Sequence, residues 1–179
     1  MTTATDSSRF DRFFFAHDTD SDGHVDWSDY ERLVAAYLDA AKADRAGHRA
    51  AALKVTFQMW WMELLRHAQV QGQRLSREEY TRALQALLVD TSRFNMLEGL
   101  AHAVFDVLDA DGDDQIGRDE FQALLRALKV PDFAAADLFH ALDTDGDTVL
   151  SRHEVVRAVR EFFSSPEDNP SGGIFFGVA

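Results

Sequence analysis

Residues 143–154 read DTDGDTVLSRHE, with aspartates at the first, third and fifth places and a glutamate at the twelfth. Residues 18–29 (DTDSDGHVDWSD) and 109–120 (DADGDDQIGRDE) repeat the spacing, the first of them closing on an aspartate. Crowding like charges is unfavourable in a chain whose formal net charge is −13. It makes chemical sense if the carboxylates meet a cation. A hard divalent ion takes about six to eight oxygens at about 2.3–2.6 Å, and a tight loop with acids at alternate places turns three carboxylates inward. A main-chain carbonyl at place seven, a water or side chain at place nine and a two-oxygen carboxylate at place twelve close the sphere. Place six needs φ > 0, which favours glycine. The apolar residue at place eight (Val25, Ile116, Leu150) packs against its counterpart in a paired loop.

Such loops need helices to hold them, and the chain reads as helices punctuated by acidic turns. SSRFDRFFFAH (7–17) sets Phe10, Phe13 and Phe14 on one side. Residues 27–46 place Trp27, Tyr30, Leu33, Val34, Tyr37, Leu38 and Ala41 on one helical face. Residues 48–68 form a longer helix. Residues 76–90 follow, with Ser76 as N-cap and Glu79 three residues on, as in a capping box. Residues 92–109 lead into the second acidic loop, and 117–130 leave it and stop at Pro131. Residues 131–143 start on that proline, and 151–165 end near Pro166. No segment alternates at strand length.

The closing acids Glu120 and Glu154 are 34 residues apart, while Asp29 and Glu120 are 91 apart, which leaves room for one more unit. AQVQGQRLSREE (68–79) fills it: Leu75 matches the apolar place eight and Glu79 the closing acid, but Ala68, Val70 and Gly72 replace the acids. The chain is thus a fourfold repeat with one silent member.

Composition bounds the function. The 179 residues hold 31 acidic and 18 basic side chains, 14 Phe and no Cys. Disulfides and thiolate metal sites are excluded, and the negative charge argues against nucleic acid or an anionic membrane as partner. No run approaches the ~20 apolar residues of a membrane span, and the N-terminus lacks a signal pattern, so a cytoplasmic location is expected. No H-E-x-x-H, G-x-S-x-G or P-loop occurs, so an enzyme has no support. His17, His24, His67 and His153 are expected to be exposed and non-catalytic.

These loops resemble the EF-hand superfamily, over nearly the whole chain. The resemblance implies Ca2+ at three sites. The first would be Asp18, Asp20, Asp22, the carbonyl of His24, Asp26 and Asp29. The second would be Asp109, Asp111, Asp113, the carbonyl of Gln115 and Glu120. The third would be Asp143, Asp145, Asp147, the carbonyl of Val149 and Glu154. At place nine, Gly117 leaves room for a water, and Ser151 ligates or holds one. Each acidic loop departs once from the strict pattern. Asp29 is a methylene shorter than glutamate, which favours Mg2+ or weakens Ca2+ there; Asp114 and Thr148 stand where glycine is usual. Within the superfamily the silent second unit, the 50 residues from Asp29 to Glu79 and the tail REFFSSPEDNPSGGIFFG resemble the sarcoplasmic calcium-binding proteins and their calerythrin-like bacterial relatives. The coelenterazine-binding photoproteins share that layout.

The expected fold is all-α: four helix–loop–helix units paired in two halves (1–89 and 90–179) of one compact globule, with short β contacts through Val25 with Leu75 and Ile116 with Leu150. FQMWWMELL (57–65) reads as core, with Trp60 or Trp61 exposed or at the interface between the halves. Ile174, Phe175 and Phe176 read as a docked plug. The expected function is a cytosolic Ca2+/Mg2+ buffer, monomeric, with a protein partner left open. A sensor that opens an apolar groove and a carrier of a small hydrophobic ligand remain as alternatives.

Overall fold

A computed structural model describes residues 4–89, 94–164 and 171–178, without the side chains of 4–9, 94 and 95. The described residues form eight α-helices: α1 (Ala4–His17), α2 (Trp27–Ala40), α3 (His48–Ala68), α4 (Arg77–Val89), α5 (Phe94–Leu108), α6 (Arg118–Ala127), α7 (Ala135–Leu142) and α8 (Arg152–Ser164). Two minimal antiparallel sheets tie the loops in pairs. Strand β1 (His24–Asp26) meets β2 (Arg74–Ser76) with Val25 opposite Leu75, and β3 (Gln115–Ile116) meets β4 (Leu150–Ser151) with Ile116 opposite Leu150. All four of these apolar residues are fully buried, as expected of place eight.

Sequence explains most helix boundaries. Asp26 caps α2 by accepting from the Ser28 N–H at 2.8 Å, and Asp29 returns the favour to the Asp26 N–H at 2.8 Å. Ser76 and Glu79 form the predicted capping box, the Ser76 N–H donating to Glu79 Oε2 at 2.9 Å. Two helices end earlier than periodicity suggests: α2 stops at Ala40 rather than 46, and α6 at Ala127 rather than 130. In both, a lysine adopts the left-handed conformation, Lys42 at φ 49° and Lys129 at φ 59°. The Ala43 N–H then reaches the Leu38 carbonyl at 2.9 Å and the Val130 N–H the Leu125 carbonyl at 2.9 Å. This is the Schellman closure that glycine usually makes. Lysine gives no such signal in the sequence.

The two loop pairs share one core. Helix α3 packs on α4 and α5, and α2 packs on α6. Arg49 on α3 donates to the main-chain oxygen of Asp109 at 2.5 Å, bolting the silent unit to the second acidic loop. Phe10, Phe13 and Phe14 are buried as expected. So are both tryptophans, Trp60 at 0 % and Trp61 at 4 % exposed: neither faces solvent, and Trp60 meets Phe163 and Phe176 of the C-terminal half, the interface position expected of one of the two. Trp61 escapes solvent by packing on Tyr30, with ring centroids 5.5 Å apart.

The tail is the plug the sequence suggests. A short 3₁₀ segment, Ser171–Phe176, lies against α8 and α7. Ile174, Phe175 and Phe176 are fully buried. A Cβ on Gly172 would stand 2.0 Å from the Ala158 carbonyl oxygen, so only glycine allows this approach. Phe176 enters an aromatic centre, its ring centroid 4.9 Å from Phe163 and 5.7 Å from Trp60.

Two histidines depart from the expected exposure: His67 is part-buried, with its side chain 15 % exposed, and His17 departs further. His17 is buried beside this centre. Its Nε2 donates to the Phe176 carbonyl at 2.7 Å, so Nδ1 of the neutral ring accepts from the Tyr80 hydroxyl at 2.6 Å. Tyr80 meets Tyr30 at 3.2 Å, and Trp60 Nε1 donates to the Tyr30 hydroxyl at 3.1 Å. Burial dominates the imidazole, lowering its pKa to about 4 against the opposing pull of its Phe176 contact and of Asp29.

Candidate metal centres

The three acidic loops share one backbone course. Place four turns left-handed in each (Ser21 φ 59°, Gly112 φ 80°, Gly146 φ 76°), and so does place six (Gly23 φ 82°, Asp114 φ 63°, Thr148 φ 74°). The requirement at place six was legible in the sequence; that at place four is marked only by Gly112 and Gly146. These turns aim main-chain N–H groups at the first aspartate. Asp18 accepts from the Asp22 and Gly23 N–H groups, both at 3.0 Å. Asp109 accepts from Gly112 at 2.8 Å and Asp113 at 3.0 Å, and Asp143 from Gly146 at 2.8 Å and Thr148 at 3.1 Å. Asp18, Asp109 and Asp143 are buried while the loops around them are mostly exposed, so each forms the floor of a shallow acidic cup.

The closing acids reach back across the loops. Glu154 Oε1 accepts from the Thr144 N–H at 2.7 Å and hydroxyl at 3.0 Å, and Oε2 from the Ser151 N–H at 2.9 Å and hydroxyl at 2.8 Å. Burial alone would push this carboxyl up, but those contacts from Ser151 and Thr144 outweigh it and hold the pKa at about 2. Ser151, expected to ligate or hold a water, is thus engaged with Glu154. Glu120 takes the Ala110 N–H at 2.9 Å and the Gly117 N–H at 2.8 Å. Asp29 takes the Thr19 N–H at 3.0 Å and hydroxyl at 2.8 Å. The hydroxyls of Thr19 and Thr144 at place two escaped sequence reading, although the residue type repeats there.

Carboxylate oxygens converge in all three loops. One oxygen each from Asp18, Asp20 and Asp22 lies within 4.8 Å of the others, and the same holds for Asp109, Asp111 and Glu120, and for Asp143, Asp145 and Glu154. The closing glutamate belongs to the trio in the second and third loops. In the first loop Asp29 does not, in keeping with its missing methylene. Asp26, Asp113 and Asp147 lie outside the trios; Asp113 and Asp147 accept from the Gln115 and Val149 N–H groups at 2.9 and 3.0 Å. His24 and Gln115 open strands β1 and β3, and Val149 precedes β4, so each contributes main chain to its loop. Three convergent carboxylate oxygens in each loop, with main-chain N–H donors behind the first aspartate, suit a hard divalent cation. The silent loop has no acidic trio among the described residues, and its Glu79 serves Ser76.

The comparisons agree with this geometry. The EF-hand domain pair family matches residues 97–160. Calerythrin from Saccharopolyspora erythraea is 31 % identical over 166 residues, covering 90 % of this chain and 94 % of that protein. A Streptomyces coelicolor calcium-binding protein, solved in connection with prokaryotic calcium-mediated regulation, is 32 % identical, with 90 % of this chain and 99 % of that one covered at a TM-score of 0.76. The sarcoplasmic calcium-binding protein from amphioxus shares the fold, with a TM-score of 0.72 at 15 % identity over 99 % of this chain and 98 % of that one.

Proposed function

The chain belongs to the calerythrin-like EF-hand calcium-binding proteins, and from that premise we propose that it is a Ca2+/Mg2+ buffer with three working sites. The convergence of carboxylates in three loops of one geometry carries this reading. Asp18, Asp20, Asp22, Asp26 and Asp29 with the His24 carbonyl hold the first ion. Asp109, Asp111, Asp113 and Glu120 with the Gln115 carbonyl hold the second. Asp143, Asp145, Asp147 and Glu154 with the Val149 carbonyl hold the third. The silent unit supplies β2 and the helices against which the first loop is braced.

The sites are graded. The loop at 109–120 is the tightest, because Asp tolerates φ > 0 and the closing acid is a full-length glutamate. Thr148 is β-branched and sits at φ 74°. A β-branched residue resists this conformation, so strain counts against any state that fixes the loop in it, the ion-bound one above all. Thr148→Gly is therefore expected to tighten the site at 143–154 by about five- to thirtyfold, equivalent to ~1–2 kcal/mol. Calorimetric titration of the variant beside the parent reads this directly, and an unchanged affinity would remove strain as the cause.

A buffer takes up ions without uncovering apolar surface. The packing of Phe176 against Trp60 and Phe163 supports this, since the chain's own tail fills the aromatic centre. The same contact weighs against a carried ligand there. One observation favours a sensor as second reading: Val55, Met59 and Met62, exposed at 53, 56 and 63 %, share a face of α3. Titrating Ca2+ in the presence of an apolar-surface dye separates the two. The buffer leaves dye fluorescence flat or lowers it, whereas a strong rise would establish the sensor. Among the described residues no helix is long and apolar enough to cross a membrane.

A further inference from the structure

The acids of the first loop are held differently from those of the other two. Arg32, three residues beyond Asp29 on α2, lays its guanidinium across the loop. Nη2 donates to Asp20 Oδ2 at 2.8 Å and to Asp29 Oδ1 at 2.6 Å, and Nε donates to the Thr19 hydroxyl at 2.6 Å. From the silent loop opposite, Arg74 donates to Asp22 Oδ2 at 2.5 Å. Arg74 Nε also lies 3.6 Å from Asp26 Oδ2, so four of the five carboxylates that would surround the first cation already face an arginine.

The other loops lack this feature among the described residues. Arg152, the guanidinium beside the C-terminal pair, binds Asp106 and Asp114, neither of which belongs to a ligand set. The equivalent of Arg32 is Ala123 in the second acidic loop. In the third it is Arg157, which turns instead to the Leu142 carbonyl at 3.5 Å and to Glu161 at 3.8 Å. An arginine at this place is thus not enough to cover a loop. The difference lies at place twelve. Glu154 reaches the converging oxygens of its loop, whereas Asp29 stays back and meets Arg32.

We propose that Arg32 sets the affinity and selectivity of the first site: it is a tethered counter-ion that an arriving cation must displace from Asp20 and Asp29, with Arg74 in the same part at Asp22. The proposal rests on reading 18–29 as a cation site. Arg32 is part-exposed, so it has solvent to swing into when it yields. The competition lowers affinity for any cation, but not equally. Ca2+ needs about six to eight oxygens and gains from every carboxylate released, while Mg2+ keeps several waters and needs fewer. Arg32 therefore tilts the first site toward Mg2+. It also makes the site sensitive to ionic strength, because the competing pair is near the surface.

The test is calorimetric titration of the full chain with CaCl2 and, separately, MgCl2, for the parent and for Arg32→Gln, Arg32→Lys and Arg45→Gln. Arg45 pairs with Asp39 on the surface and removes the same charge elsewhere. Arg32→Gln is expected to tighten the weakest Ca2+ site about five- to tenfold and to raise its Ca2+/Mg2+ affinity ratio, with the other two sites unchanged. Arg32→Lys, which keeps charge but loses the fork, falls between, and it serves in place of Arg32→Gln if that variant folds poorly. Arg45→Gln leaves all sites within about twofold. Three Ca2+ bound with the weakest site unmoved or weakened by Arg32→Gln would overturn this inference alone. No ion at 18–29 in any variant would overturn it together with the reading of that loop as a site.

Discussion

Supplying the metal-free protein with 1 mM free Ca2+ is expected to raise its thermal midpoint by roughly 20 °C or more. A site with micromolar affinity adds ~4 kcal/mol of folding stability at a thousandfold excess of ion. Three such sites add roughly three times that, and for a chain of this size each kcal/mol moves the midpoint by about 2–4 °C. The starting point is also poor. Each loop holds its carboxylates within a few ångströms of one another, and the chain as a whole carries a formal charge of −13. Without ions this repulsion works against the folded state, and with them it becomes coordination. Scanning calorimetry in Ca2+ and in chelator measures the difference. A shift below ~2 °C is too small for even one micromolar site and would refute the linkage.

The second large effect is expected at the tail. Phe176 is fully buried, packs on Trp60 and Phe163, and presents its carbonyl to His17. Truncating a buried phenylalanine costs about 3–5 kcal/mol, because transfer and cavity terms add. Phe176→Ala is thus expected to lower the unfolding free energy by that amount in Ca2+-saturated protein, measured by denaturant titration. The loss should exceed that of Phe133→Ala severalfold, since Phe133 is 85 % exposed. Equal, small losses at both positions would mean that the tail is not part of the cooperative core.

The loops and the helices around them were legible because their information is local. Alternate acids, a closing acid and an apolar place eight lie within twelve residues, and helical faces repeat every three or four. What stayed hidden depends on partners far away in sequence. His17 reads as one more polar residue at a helix end, yet its partners Tyr80 and Phe176 lie 63 and 159 residues away. Trp61 follows a tryptophan that fills the core, so periodicity alone gives it another direction, and only the packing of α2 against α3 buries it too. The ends of α2 and α6 were invisible for a different reason: Lys42 and Lys129 adopt a backbone conformation their side chains do not advertise. Arg32 and Arg74 carry no signal of their own in the sequence. Their significance appears only once β1 and β2 are paired and α2 is set against the loop.

Counting ions per chain tests the central claim most directly. Native mass spectrometry of the full chain, metal-free and then in excess Ca2+, is expected to show the mass of three bound Ca2+. Substituting Asp18, Asp109 or Asp143 with asparagine should remove one ion each. A chain that remains at its metal-free mass in saturating Ca2+ would contradict the assignment of all three loops.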